Sequence, residues 1–146
     1  MTTLPNVQMG EGPDYFSIAV YNAGTVDIAA NQPLALDTSN LLDSGGTNNQ
    51  IAVTTPSAAH VDIIGWSKET IPAKGSGRML PIGPVVQAKC DSGGVAANVQ
   101  VANGTTSPYT TVSAATTGSA SCGLSLASGA SGEYIPILLK HSGYSR

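Results

Sequence analysis

The sequence predicts an all-β fold made of two packed halves, and three observations lead there. Gly (17) and Pro (9) make up about 18% of the 146 residues, against roughly 12% in ordinary domains. Such punctuation interrupts helices and suits short strands. Runs rich in β-branched and aromatic residues recur between the breaks. The chain also repeats itself at long range, so one β unit is present twice. A chain of this length is enough for one domain with a real core, burying about 68% of its extended surface.

The elements follow in order. Residues Met1 to Asp14 hold two prolines, two glycines and no periodicity, and read as an extended N-terminal arm outside the core. The β domain spans 15–139. Its first strand is Tyr15 to Tyr21, stopped by Asn22-Ala23-Gly24. Leu34 to Asp43 reads mostly as loop, with Leu34, Leu41 and Leu42 on a short helical turn. Gly45-Gly46 and the polar Thr47 to Gln50 extend that loop. Val61 to Trp66 and Val85 to Lys89 are strands bounded by Gly or Pro. For Thr105 to Gly123, rich in Ser, Thr, Ala and Gly, three readings stand: a flexible linker, an exposed strand pair or a long loop. Ile135 to Leu139 is the last strand, and 140–146 a C-terminal tail.

The duplication shows as three collinear matches. Ile28-Ala29-Ala30-Asn31-Gln32-Pro33-Leu34 recurs as Val95-Ala96-Ala97-Asn98-Val99-Gln100-Val101, at an offset of 67. Gly65-Trp66-Ser67 recurs as Gly123-Leu124-Ser125, at an offset of 58. Ser76-Gly77-Arg78-Met79-Leu80-Pro81-Ile82 is matched to Ser131-Gly132-Glu133-Tyr134-Ile135-Pro136-Ile137, at an offset of 55. The offsets shrink because the second copy has shorter connections. The units are about 15–83 and 84–139. In each, Asn31 or Asn98 falls where the chain reverses, because Asn tolerates the left-handed conformation. Pro81 and Pro136, lacking an amide proton, are expected at an edge or a strand end.

Composition removes several functions. Charged residues are 10% of the chain, with a net charge of −3 and a pI near 5.0. A nucleic-acid surface needs clustered Lys and Arg, and the six basic residues form no run. No apolar stretch is long enough to span a bilayer as a helix, and the N-terminus has no secretory pattern. The expected partners therefore include neither nucleic acid nor membrane. Cys90 and Cys122 lack the spacing of a redox pair or a zinc site; buried free thiols are the first reading and a disulfide the second.

Several of these motifs resemble the small capsid decoration, or cement, proteins of tailed bacteriophages. They are Ile28-Ala29-Ala30-Asn31, Ile63-Ile64-Gly65-Trp66-Ser67, Gly77-Arg78-Met79-Leu80 and Gly83-Pro84-Val85-Val86. Members of that group carry an apolar-Ala-Ala-Gly turn, a Gly-Val-Ala or Gly-Ile-Ser strand and a Gly-Glu-x-Val strand. Here Asn31 and Asn98 replace the first Gly, and the Gly-Glu pair stands only as Gly132-Glu133. The resemblance implies a compact antiparallel β-barrel or β-tulip-like domain. It also implies a homotrimer docked on the major capsid protein of the shell, with an arm reaching over neighbouring subunits.

No catalytic or metal constellation emerges, and no cofactor is expected. Ser67, His60 and Asp62 sit too close along one strand to converge, without a nucleophile elbow. The 43–49 segment is no calcium loop. Lys74-Gly75-Ser76-Gly77-Arg78 reads as a turn rather than a phosphate loop. Asn103-Gly104-Thr105 fits a glycosylation sequon without a secretory context. The candidate interface residues are Leu4, Val7 and Met9 of the arm and the aromatics Tyr15, Phe16 and Trp66, which act either as core or as anchors toward a partner. The function expected is that of a structural virion protein on the outer capsid surface, with a receptor- or carbohydrate-binding β module as the alternative.

Overall fold

The computed structural model describes residues 17–40, 50–81, 83 and 85–144. The arm 1–14, the 43–49 loop, and the aromatics Tyr15 and Phe16 lie outside them. Among the described residues there is no helix. The strands are β1 (Ile18–Asn22), β2 (Pro33–Leu36), β3 (Ile51–Thr54), β4 (Gly65–Ser67), β5 (Gly75–Leu80), β6 (Val85–Lys89), β7 (Gln100–Asn103), β8 (Val112–Ala114), β9 (Ala120–Ser125) and β10 (Tyr134–Tyr144).

The first five strands form a closed barrel, β1-β3-β2-β4-β5, and the last five a sheet in the order β6-β10-β9-β7-β8. The two orders are the same arrangement, opened in the second half at one seam. Leu34 faces Gly65 across β2–β4, and Val101 faces Gly123 across β7–β9. Ser67 faces Met79, as Ser125 faces Ile137. Leu36 faces Val53, as Asn103 faces Val112. The matches at 67 and 58 are therefore structural equivalences. The third is corrected: β5 corresponds to Glu133–Leu138 at an offset of 58, not 55. Most of the length difference lies in one connection, that between β2 and β3 against its shorter counterpart between β7 and β8.

Identical backbone wiring explains why the short motifs recur. Asn31 and Asn98 have φ of 61° and 60°, the left-handed region that Asn accommodates. Each N–H donates to the carbonyl of the equivalent serine, Ser67 or Ser125, at 2.9 Å. The Ser67 hydroxyl donates to Ala29 O at 2.7 Å and accepts from Gln32 N at 2.9 Å. Ser125 does the same with Ala96 O at 2.7 Å and Val99 N at 3.0 Å. A buried hydroxyl in each half thus clamps the turn that enters β2 or β7.

One pair of positions is inverted between the halves. Ile71 bridges Ile28 where Gly129 bridges Val95, and Gly77 on β5 corresponds to Ile135 on β10. A Cβ on Gly77 would lie 2.7 Å from Ile71, and one on Gly129 would lie 2.5 Å from Ile135. Each half thus fills the same space with one isoleucine, carried by the bridging segment in the first (Ile71) and by the strand in the second (Ile135).

Other expectations change at particular residues. Val85–Lys89 is a strand as predicted. Pro33–Leu36 is a strand rather than loop, because Leu34 faces the barrel core and is fully buried. Within Val61 to Trp66 only Gly65 and Trp66 belong to a strand; the rest is irregular. Thr105 to Gly123 holds β8 and part of β9, which pair with β7 on either side and not with each other. β10 continues to Tyr144, into the segment read as a tail. Pro136 stands inside β10, between β6 and β9, rather than at an edge. Its carbonyl accepts from Leu126 N at 2.9 Å; the reciprocal bond is one a proline cannot make, and β9 ends at Ser125.

Candidate functional site

Two cores result, and they are shared unequally. The barrel interior holds Val20, Ile28, Leu34, Val53, Ile71 and Met79. The second core joins Val86, Val95, Val101, Val112, Ile135 and Ile137 to three residues of the first half, Ile63, Trp66 and Leu80. Trp66 and Leu80 face each other across β4–β5. Since the neighbouring Ser67 and Met79 turn toward the barrel, these two side chains point outward from it. The outer face of the barrel is thus the lid on the open second sheet. Trp66 is 0% exposed, and its indole N–H has no hydrogen-bond partner among the described residues. Of the two readings of Trp66, core or anchor, this chain shows it in the core, with none of its surface exposed.

The joint is fastened by polar groups from the 55–64 loop. Asn103, on β7, is fully buried. Its amide oxygen accepts from Val61 N at 2.9 Å, and its nitrogen donates to Ala58 O at 2.7 Å. It stands where the first half has the exposed Leu36, so an asparagine has entered the periodic pattern to hold a loop of the other half. The sequon reading is displaced, since this amide is enclosed and bonded. His60 contacts Ser113 Oγ at 3.1 Å and Thr116 Oγ1 at 3.4 Å through its two ring nitrogens. With Ser67 clamped to Ala29 and His60 bonded to Ser113 of β8, the imagined triad is not assembled.

At the open seam of the second sheet a carboxylate does what strand pairing does in the first. β1 and β3 close the barrel through a parallel ladder, Val20 to Ile51 through Asn22 to Val53. The counterpart is one parallel bridge, Cys90 to Val112. Beside it, buried Asp91 accepts from Thr105 N at 2.7 Å and from Thr105 Oγ1 at 2.9 Å. Burial pushes the Asp91 carboxyl up, but the Ser92 and Thr105 amides and the Thr105 and Thr106 hydroxyls outweigh it and hold it below the usual carboxylate range. Cys90 and Cys122 are free and buried, and burial pushes the Cys122 thiol up to about 12. Burial, helped by the Glu133 charge, raises Cys90 as well.

An open groove of about 590 Å³ lies between the β2–β3 strands and the 55–64 loop. Leu36, Val61 and Ile64 supply its apolar part, and Asp37, Thr38, Thr55, Ser57 and Asp62 its polar part. Asp37 already accepts from the Ser39 and Asn40 amides at 3.0 and 3.2 Å, which shapes the rim. Among the described residues no aromatic ring lines the groove.

A closed barrel, an opened copy of it and the shared lid make an arrangement specific enough to compare. A phage head-fibre base shares this fold. The N base of the head fibre gp8.5 of bacteriophage phi29 is similar over 89% of this chain and 99% of that chain, with a TM-score of 0.61 at 11% sequence identity. No family model and no curated protein matches the sequence. The likeness therefore concerns the fold, including both halves, and the chemistry must be read from this chain.

Of the predicted interface residues, Leu4, Val7, Met9, Tyr15 and Phe16 lie outside the described residues, and Trp66 belongs to the core. Sequence reasoning missed Asn103 and Asp91. The first had a signal: an Asn at the position where the repeat places Leu36. Asp91 had none, because its partners come from a turn whose path depends on the length of the loop.

Proposed function

We propose that the chain is a non-enzymatic structural protein of a bacteriophage virion that binds the outer surface of the assembled head and stabilises it, as decoration proteins do. The observation that carries this is the likeness in fold to the phi29 head-fibre base, in which nearly the whole of that chain has a counterpart here. The sequence resemblance to decoration proteins supports the same reading, as does a low charge content suited to neutral contacts between subunits. The partner is the major capsid protein, the active form a homotrimer made in the host cytoplasm, and no cofactor is called for. A protein that binds only the assembled shell stabilises it by mass action, about 2.7 kcal/mol per site at a hundred times its Kd. Three linked copies multiply weak contacts through effective concentration.

The test is cosedimentation of the purified protein with expanded heads, followed by heating of heads with and without it. Retention on the shell and a higher temperature of DNA release are expected. Absence of binding, or equal release temperatures, would overturn the proposal. A second reading, a glycan- or receptor-binding module of a head fibre or tail, is favoured by the hydroxyl-lined groove at Thr55 and Ser57. Reproducible glycan-array hits, lost in a Thr55→Val/Asp62→Asn variant, together with weak attachment to heads, would support it instead.

A further inference from the structure

Asn103 is the one asparagine in the sequence that is followed by glycine. In an unfolded chain that pair deamidates faster than other asparagine pairs, because the glycine amide carries no side chain to hinder its approach to the Asn carbonyl carbon. The fold calls for both members. Asn103 holds the 55–64 loop through Val61 N and Ala58 O. Gly104 is buried, and a Cβ on it would run into Thr111 Oγ1 and lie 2.9 Å from Asp91 Oδ2. The first half has no such pair, since Leu36-Asp37 stands at the equivalent positions.

Deamidation begins when Gly104 N attacks Asn103 Cγ, and in the folded chain both groups are tied. Gly104 N donates to Thr111 O at 2.7 Å. The Asn103 amide oxygen accepts from Val61 N at 2.9 Å, and its nitrogen donates to Ala58 O at 2.7 Å. The Asp91 carboxylate beside Gly104 adds a further restraint: loss of the Gly104 amide proton would set two negative charges side by side in a partly buried place. The two side-chain bonds are the ones that fasten the second half to the first.

We propose that Asn103-Gly104 is a deamidation site gated by the joint between the halves, so that opening of the joint permits a one-way release. The step balances with water as the only added reactant. The Gly104 amide gives up its proton, its nitrogen bonds to Asn103 Cγ, and ammonia leaves with the side-chain nitrogen, which forms a cyclic succinimide. Water then opens either carbonyl of the ring, giving aspartate or isoaspartate; nothing is oxidised or reduced. Neither product restores the joint. An aspartate turns a carboxylate oxygen toward Ala58 O, where the amide had offered a proton, and toward Tyr109 O, 3.5 Å from the original nitrogen. A carboxylate facing carbonyl oxygens in that place is strongly disfavoured. An isoaspartate lengthens the main chain by a methylene at the end of β7, just before the bond from Gly104 N to Thr111 O.

The experiment incubates the full chain in mildly alkaline buffer and follows Asn103 by peptide mapping that separates asparagine, aspartate and isoaspartate. The wild type is measured in native buffer, in urea below its unfolding transition and in unfolding urea, and His60→Ala in native buffer. His60 ties the same loop to Ser113 and Thr116 and takes no part in the reaction. Conversion is expected to be fastest in the unfolded chain and roughly a hundredfold or more slower in the native one. Folded His60→Ala is expected to convert about tenfold faster than the native wild type, the effect of easing a local opening by two side-chain contacts. Converted protein, separated by anion exchange and returned to native buffer, is expected to show a lower Tm and faster exchange of the Val61 amide. Native conversion as fast as that in unfolding urea overturns the proposal. So does a rate that neither His60→Ala nor sub-denaturing urea changes, or converted protein with the wild-type Tm. If His60→Ala does not fold, the urea series and the Tm of the converted protein decide.

Discussion

The barrel and the open sheet are the same unit, yet only the first closes on itself. The connection between β2 and β3 runs from 37 to 50, long enough for β3 to begin at Ile51 and lie along β1. Its counterpart must turn within 104–111. Tyr109, with φ of 62°, donates to Thr106 O at 2.8 Å, so the residues that would extend a ladder along β6 are used in the turn. Closure therefore depends on loop length rather than on strand sequence. The half that cannot close compensates twice, with the Asp91 carboxylate at the seam and the outer face of its sibling as a lid. One half is self-sufficient in its core, and the other is not.

The largest test of that asymmetry is Trp66→Ala. Removing the fully buried indole is expected to cost about 4 kcal/mol, seen as a large drop in Tm. The second sheet should lose amide protection at Val101 and Ile135 before the barrel loses it at Val20 and Val53. Equal loss in both halves would break the comparison. Trp66→Phe, which removes an indole N–H that has no partner, should cost far less.

Asn103→Ala comes next. It leaves Val61 N and Ala58 O, whose bonds to Asn103 are part-buried, without that partner, an expected loss of about 2 kcal/mol. Faster exchange of the Val61 amide would place the effect in the 55–64 loop.

At the seam, Asp91→Asn is expected to cost about 2 kcal/mol at neutral pH, the loss of charge-assisted hydrogen bonds. The folded-state pKa is lowered, so the wild-type carboxylate contributes fully above its unfolded pKa of about 3.9 and loses that contribution as pH falls through the folded value. Urea midpoints measured on acidification should therefore converge between wild type and variant below roughly pH 4. A constant gap would mean that Asp91 acts through packing rather than charge.

The smallest effects test equality instead of difference. Asn31→Ala and Asn98→Ala each force a Cβ-bearing residue without Asn's local bonding into the left-handed region, at about 1 kcal/mol. Matching losses in Tm would sharpen the equivalence of the two turns; a loss at one site only would undo it.

The turns and the clamps were legible because their chemistry is local. An Asn at a left-handed position and a Ser two strands away recur as short words, and the words mark the offset of 67 and that of 58. The third match failed because it paired Ser76-Gly77 with Ser131-Gly132, residues alike in type but not in role: Gly132, at φ of 82°, corresponds to Lys74, at 55°. Trp66 could be read as core or anchor, since its β4 neighbours do not reveal that the barrel turns its outer face to a second core. The parallel seam had no signal at all, because strand direction across it is set by the path of a loop.

The exchanged isoleucine has a consequence for how such a chain finds its structure. A protein built from two like units runs the hazard that a strand of one lodges in the slot of the other. Here β5 in the place of β10 would set Gly77 against Gly129 and leave a void. In the reverse error, β10 in the place of β5 would press Ile135 onto Ile71. Neither mistake is stable at native packing density, so one transposed side chain keeps the two like halves from being mistaken for each other.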